Sequence, residues 1–268
     1  MDAPGHAPEV IADNLEDLCR VNRWLGGVRL TLVPLARLER CFPAGTTMRV
    51  LDVATGGADI PRALVRWGAR RGRPLWLVAS DVGAGIVAAA RALDSDGRRA
   101  AADDGPGPDR PAARGRRPSG SPAGSLTSPA APRQCGIVFV VADATRLPFR
   151  NSAFHVVTSS LALHHLLRPA ALQMLREAAR CATLGVVVND IVRSWLTYYG
   201  AIVASRLGSR NPLTRHDGPL SALRAYTTRE MAGLAREAGL RPVRWDSFLL
   251  YRVAMTAVPE QRCLSMRK

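Results

Sequence analysis

At 268 residues, 47% of them hydrophobic, the chain is long enough to bury one substantial core, which excludes a disordered polymer. Its net charge of +15 invites a nucleic-acid partner, but Lys268 is the only lysine, and the arginines are scattered along a chain also rich in Ala, Gly and Pro. No dense basic block stands out, so the charge reads as compositional background and argues against nucleic acid as the partner.

Residues 10–42 carry apolar positions at three- and four-residue spacing, among them Leu15, Leu18, Val21, Leu25 and Val28. They predict helices interrupted at Gly26-Gly27, a cap over residues 1–44. The stretch 48–53, MRVLDV, predicts a strand, and 60–70 a helix with Pro61 in its tolerant first turn. A second strand over 74–81 and an Ala-rich helix over 85–93 follow. Residues 94–134 contain little besides Gly, Pro, Ser, Ala and charge, too little apolar surface to offset the entropy of ordering, and predict a disordered insertion. Alternation resumes with strands at 136–143 and 154–160, a helix at 169–182 and a strand at 185–190. Beyond it, 193–207 predicts a helix and 208–226 a polar, turn-rich stretch. Thr227 and Glu230 form a capping-box pattern ahead of a helix that Gly239 ends, and two closely spaced strands complete the chain. Strands alternating with helices predict an α/β fold, a Rossmann-like, mostly parallel sheet with helices on both faces.

Five cysteines, Cys19, Cys41, Cys135, Cys181 and Cys263, are widely spaced without a CxxC pair. They fit neither a disulfide framework nor a zinc site, so no metal is expected and a reducing, cytoplasmic setting is. The start of the chain lacks a basic-then-apolar signal pattern, and no apolar run is long enough for a bilayer span.

The chemistry concentrates in VLDVATGGADIP at 50–61. An apolar strand running into Gly56-Gly57 and a helix start suits a nucleotide-type cofactor, although a tight turn needing glycine for packing alone is the bland alternative. Acids at successive strand ends, Asp52, Asp81 and Asp143, tip the balance, because open α/β sheets bind ligands there. Asp52 and Asp59 flank the turn and would repel a pyrophosphate. The GxGxxG spacing and a Walker lysine are both missing, so NAD and ATP fit poorly. S-adenosylmethionine, cationic and free of phosphate, fits. Asp52 or Asp59 suits its charged methionine end and the N–H groups of the turn its carboxylate. Asp81 suits the ribose hydroxyls, and Asp143, an acceptor only, the adenine amine.

VLDVATGGADIP, ASD at 79–81 and VVADATRLPF at 140–149 resemble the successive signatures of class I S-adenosylmethionine-dependent methyltransferases. The version is similar to the methyltransferase type 11/25 and ubiquinone/menaquinone methyltransferase-like groups, and SSLALHHL at 159–166 resembles their segment after the fourth strand. The resemblance covers 45–260, excluding the insertion, and leaves 261–268 as a tail. It implies a seven-stranded sheet whose last strand is antiparallel. It also implies a methionine site at Asp52, Gly56 and Gly57, a ribose site at Asp81, and an adenine site at Asp143 and Ala144. Ala54, Asp59, Val82 and Ser159 complete the expected cofactor-binding set. The third glycine usual in the turn is Ala58 here, and the insertion has no counterpart in the family.

A phenolic acceptor calls for a base, since at a pKa near 10 only about one phenol in a thousand is ionised at pH 7. His216, beside Asp217, and His164, beside His165, are the candidate catalytic residues, while His155, inside a strand, reads as structural. Trp24, Leu25, Trp195, Tyr198 and Tyr199 suit a cover over a hydrophobic or aromatic small molecule, with 193–226 as the substrate-covering segment, and each of them equally suits the core. O-methylation of a phenolic or polyketide-like hydroxyl in secondary metabolism is the leading expectation. C-methylation of a quinone-like ring, an RNA methyltransferase and a non-catalytic scaffold are the alternatives. The post-strand stretch lacks the Asn/Asp-Pro-Pro-aromatic motif of many amino-methylating enzymes.

Overall fold

The computed structural model describes residues 22, 26–43, 45–103, 136–208, 212–249 and 251–260. Helix α1 (Gly27–Glu39) leads into β1 (Met48–Val53), α2 (Asp59–Arg70), β2 (Leu75–Asp81), α3 (Ala84–Asp103), β3 (Ile137–Val141) and β4 (Phe154–Ser160). A 3-10 turn (Leu163–His165) precedes α4 (Arg168–Cys181), β5 (Ala182–Ile191), α5 (Trp195–Gly208), α6 (Pro212–Arg224), α7 (Thr228–Glu237), β6 (Leu240–Phe248) and β7 (Arg252–Pro259). The strands form one sheet in the order β3-β2-β1-β4-β5-β7-β6, with β7 antiparallel to both of its neighbours and every other pairing parallel. The α/β architecture expected from the alternation, antiparallel last strand included, is the one observed.

Because helices cover both faces, the central strands are apolar on both sides, as in other parallel sheets. Leu51, Val53, Val157, Val186 and Val188 face α4 and α7, while Val50, Val156 and Val187 face α1 and α2. Complete burial of Leu35 on α1 and Leu64 on α2 stabilises the second layer by about 1.5–3 kcal/mol per side chain. Helix α1 is also held by hydrogen bonds. The amide of Asn189, at the end of β5, donates to the Gly27 carbonyl at 2.7 Å and to Thr31 Oγ1 at 2.9 Å, and its oxygen accepts from Arg252 Nε at 2.7 Å. The expected break at Gly26 is real, since that residue adopts φ +76° as the residue before α1.

Thr227 caps α7 by accepting from Glu230 N at 3.2 Å, and Glu230 Oε2 accepts from Thr227 N at 2.8 Å. Gly239 follows that helix at φ +76°. Three expectations change. Helix α3 runs to Asp103, ten residues into the segment read as an insertion, because the Ala-rich register continues past Asp94. The polar stretch 208–226 contains α6, which begins at Pro212 and accommodates Pro219 within it, and its end is anchored by the buried Ala222 and Ala225. Trp195 and Tyr199 are not core: they are 74% and 60% exposed and stack on each other on α5. Trp24, Leu25, residues 104–134 and the tail 261–268 lie outside the described residues.

Candidate functional site

The carboxyl ends of β1, β2, β4 and β5 converge on the turn between β1 and α2. That turn alternates left-handed backbone at Ala54 (φ +54°), Gly56 (φ +52°) and Ala58 (φ +56°). The position where the family signature has its third glycine is thus one that glycine enters without strain. Here alanine occupies it, with its methyl packed among Ala79, Val87, Ala90 and Phe139.

Asp81 ties this turn to the next. Its Oδ2 accepts from Gly56 N at 3.0 Å and its Oδ1 from Gly83 N at 3.1 Å. A carboxylate has about four acceptor sites, so two remain for ligand hydroxyls. Ala142 N donates to the Asp81 carbonyl at 2.8 Å, which brings the loop after β3 alongside. In that loop Asp143 Oδ1 accepts from Thr145 N and Thr145 Oγ1, both at 2.8 Å. Val82, which follows Asp81, is exposed, and Ala144, which follows Asp143, is half-buried.

Asp52 lies beneath the turn, fully buried, with its oxygens taken by Thr55 Oγ1 at 2.8 Å and Thr158 Oγ1 at 2.6 Å. Burial pushes its carboxyl up to about 7, against the lowering effect of the two hydroxyls and with the help of the nearby Asp59 and Asp81 charges. Asp52 therefore supports the turn from below. The folded state holds this proton more tightly than the unfolded chain, so Asp52 stabilises fully below pH 3.8, and the contribution is lost as pH rises towards 7. At about 1.4 kcal/mol per pH unit, that interval amounts to about 4 kcal/mol at most. Asp52→Asn, neutral at every pH, is expected to raise the midpoint of thermal unfolding of the ligand-free chain at pH 8 and leave it nearly unchanged at pH 4. Equal midpoints at pH 8 would contradict the assignment.

Asp59, the first residue of α2, is the acid with acceptor capacity to spare. Its Oδ1 accepts from Asn22 Nδ2 at 3.4 Å, while its buried Oδ2 has no hydrogen-bond partner among the described residues. Burial raises its pKa, opposed by the Asn22 bond and by Arg62 and Arg252. Ser159 Oγ, on the neighbouring strand, is likewise buried without a partner among the described residues. Orphaned buried polar atoms are uncommon in folded proteins, and these two flank the turn. A ligand bringing a cationic donor to Asp59 and further polar groups to Ser159 fits them.

On the β4–β5 side, the turn at 163–165 carries His164 into the interior, where Nδ1 lies 2.6 Å from Asp190 Oδ1. Asp190 Oδ2 accepts from His164 N at 3.2 Å. Burial drives the Asp190 carboxyl upward. The His164 charge and hydrogen bond, the Ile191 N–H and Arg252 outweigh it, leaving the pKa below the usual carboxylate range. Tyr226, between α6 and α7, donates its hydroxyl to the Leu166 carbonyl at 2.7 Å and pins the turn from outside. His165 is exposed, with its ring 4.0 Å from that of His164. His155 is structural, since its Nδ1 accepts from Arg49 N at 2.9 Å and its ring packs on Phe42. His216 falls within α6, and its side chain lies outside the described residues. Among the described residues no group of three His, Cys, Asp or Glu side chains is placed to hold a metal ion, and no helix is long and apolar enough to cross a membrane.

Residues 80–188, from the end of β2 to β5, match the sequence model of the family described as "Methyltransferase domain". That stretch of the chain carries a methyltransferase domain. No curated protein matches the chain in sequence. Among solved structures, an S-adenosylmethionine-dependent methyltransferase from Aquifex aeolicus aligns over 94% of this chain and 98% of its own, at 16% identity and a TM-score of 0.56. The complex between the Haloferax volcanii Trm112 methyltransferase activator and its methyltransferase aligns over 96% and 99%, at 16% identity and 0.57. An O-methyltransferase family 2 protein from Planctomyces limnophilus, in complex with apigenin, aligns over 96% of this chain and 63% of its own, at 13% identity and 0.61. At such identities the likeness is one of fold.

The expected cofactor residues from Asp52 to Ser159 gather around one turn, and His164 stands on the adjoining β4–β5 side. Sequence reasoning missed Asp190, Asn22 and Arg252. Asp190 ends GVVVND in the same way that Asp52 and Asp81 end their strands, so the same rule would have found it.

Proposed function

We propose that this chain is an S-adenosylmethionine-dependent methyltransferase acting on a small aromatic or hydrophobic molecule, transferring the methyl group to a phenolic or polyketide-like hydroxyl with His164 as general base. The buried His164–Asp190 pair carries the reading. Asp190 accepts from Nδ1–H, which fixes the tautomer, leaves Nε2 as the basic nitrogen, and stabilises the ring once it has taken a proton. Asp59 holds the cationic end of the cofactor, the N–H groups of the turn its carboxylate, Asp81 its ribose, and Asp143 with Val82 and Ala144 its adenine. When bound, S-adenosylmethionine supplies an electrophilic methyl group on a sulfonium. The protein's work is then orientation, which supplies about 7–11 kcal/mol where the approach is in line, and removal of the phenolic proton. The exposed aromatic surface of Trp195 and Tyr199, on the segment after β5, favours a flat apolar acceptor.

C-methylation of a quinone-like ring needs the same base and is the second reading; the Planctomyces protein, an O-methyltransferase in complex with apigenin, favours the first. Two measurements test the proposal. Asp81→Ala is expected to weaken S-adenosylhomocysteine binding, read by calorimetry, by about a hundredfold, since it removes both the ribose acceptor and the Gly56 anchor. Incubation with methyl-labelled cofactor and a panel of phenols, flavones and hydroquinones, with products resolved by mass spectrometry and NMR, is expected to give methyl ethers. Label on ring carbon would select the second reading. Label transferred only to RNA would overturn both.

A further inference from the structure

We propose that Asn22, ahead of α1 and outside the 45–260 domain, completes the methionine end of the cofactor site. Its side-chain oxygen and that of Asp59 together receive the α-ammonium group. The inference rests on the cofactor reading above and adds a residue to it from the N-terminal cap.

Asn22 is only 6% exposed, and its Oδ1 is buried without a hydrogen-bond partner among the described residues. Its bond from Nδ2 to Asp59 Oδ1 is long at 3.4 Å. Asp59 Oδ2 is unpartnered among the described residues as well. Two adjacent side chains, linked by a weak bond, thus bury two acceptor oxygens that no described residue satisfies. Such pairs are costly unless a donor reaches them. The charges of Arg62 and Arg252 act on Asp59, while Arg252 donates Nε to Asn189 and Nη2 to Ser160. A Cβ on Gly27 would meet Asn22 Oδ1 at 2.5 Å and the Arg252 guanidinium nitrogens at 2.8 Å, so Gly27 gives both groups room to approach.

Chemistry selects the ligand group. Two acceptor oxygens, one of them on a carboxylate, repel an anion and attract a positively charged donor with several hydrogens. An ammonium has three. The methionine carboxylate suits the N–H groups of the turn, and the ribose and adenine suit Asp81 and Asp143, which leaves the ammonium for Asp59 and Asn22. The site therefore uses a residue ahead of α1 to close the cofactor's amino-acid tail against the sheet.

The test compares S-adenosylhomocysteine with 5′-methylthioadenosine, which keeps the nucleoside and lacks the amino-acid tail. Calorimetry on the whole chain is expected to show Asn22→Ala weakening the first by about tenfold and leaving the second within twofold. Asn22→Asp, which keeps an acceptor and adds charge, is expected to restore the first. Equal losses for both ligands would mark Asn22 as structural and overturn the assignment, as would unchanged binding of both. A wild-type chain that binds neither ligand overturns the cofactor reading, and the assignment with it.

Discussion

Replacing Arg252 with methionine is expected to cost about 3–5 kcal/mol of folding stability, the usual consequence of removing one partner from a buried charged network. Arg252 is 1% exposed and opens β7, opposite Ile191 and Phe248. Its Nε is bonded to Asn189 at 2.7 Å and its Nη2 to Ser160 at 2.9 Å, and its charge acts on both Asp59 and Asp190. Burial lowers its own pKa, and the two acids and Tyr251 oppose that. Methionine fills much of the volume, yet it leaves two buried carboxylates without their shared cation and the Asn189 oxygen without a donor. The Asn189 amide would still hold Gly27 and Thr31, so α1 stays attached while the carboxylates are stranded. The sign of the pH dependence follows. Without the guanidinium, the folded-state pKa of Asp59, already raised, moves higher still, and that of Asp190 moves up from its lowered position. The mutant therefore favours the protonated acids when folded and loses stability as pH rises through those values. Urea unfolding should show the deficit growing from pH 5 to pH 8. A deficit below 1 kcal/mol at both pH values would mean that the network is not held by this charge.

The strands and the turn between β1 and α2 were legible because their signals are local. MRVLDV is apolar at consecutive positions as a two-sided buried strand must be, and Gly56-Gly57 follows where the chain reverses into α2. The acids at 52, 59, 81 and 143 were legible as a set through their spacing against strand ends, but not in their separate roles. Nothing local tells Asp52, closed off by Thr55 and Thr158 from below, from Asp59, which keeps an open oxygen. Which oxygen is already taken depends on side chains about a hundred residues away, such as Thr158. Arg252 and Asn22 were illegible for the same reason: in sequence each is one polar residue among many, and only the register of β7 against β5 and the approach of Asn22 to Asp59 bring them to the turn. Helix α6 was hidden by Gly218 and Pro219, strong turn signals that the burial of Ala222 and Ala225 overrides. The pair His164–Asp190 was half visible, since HH after a strand marks one partner and the acid comes from the end of the next strand in the sheet.

For the reaction itself, His164→Gln is expected to lower kcat by 10²–10⁴-fold on a phenolic acceptor while leaving S-adenosylhomocysteine binding unchanged. Glutamine keeps a polar side chain of similar reach and can still donate to Asp190, so the fold and the Asp190 contacts survive, but it cannot take a proton. At pH 7 a phenol is ionised to about one part in a thousand, equivalent to about 4 kcal/mol, and that is the portion of the barrier the proposed base would relieve. Two consequences separate this role from a merely structural one. The mutant rate should keep climbing with hydroxide until the phenol itself ionises, whereas the wild-type rate should depend on pH less steeply. An acceptor with electron-withdrawing substituents, and hence a phenol pKa near 7, should recover most of the lost rate in the mutant, because the base is no longer needed. Asp190→Asn should produce the same pattern with a smaller loss, since the imidazole remains but its tautomer and its positive charge lose their support. If His164→Gln lowered the rate equally for acidic and ordinary phenols, orientation would be the function lost, and the base would have to be sought on α6, where His216 lies.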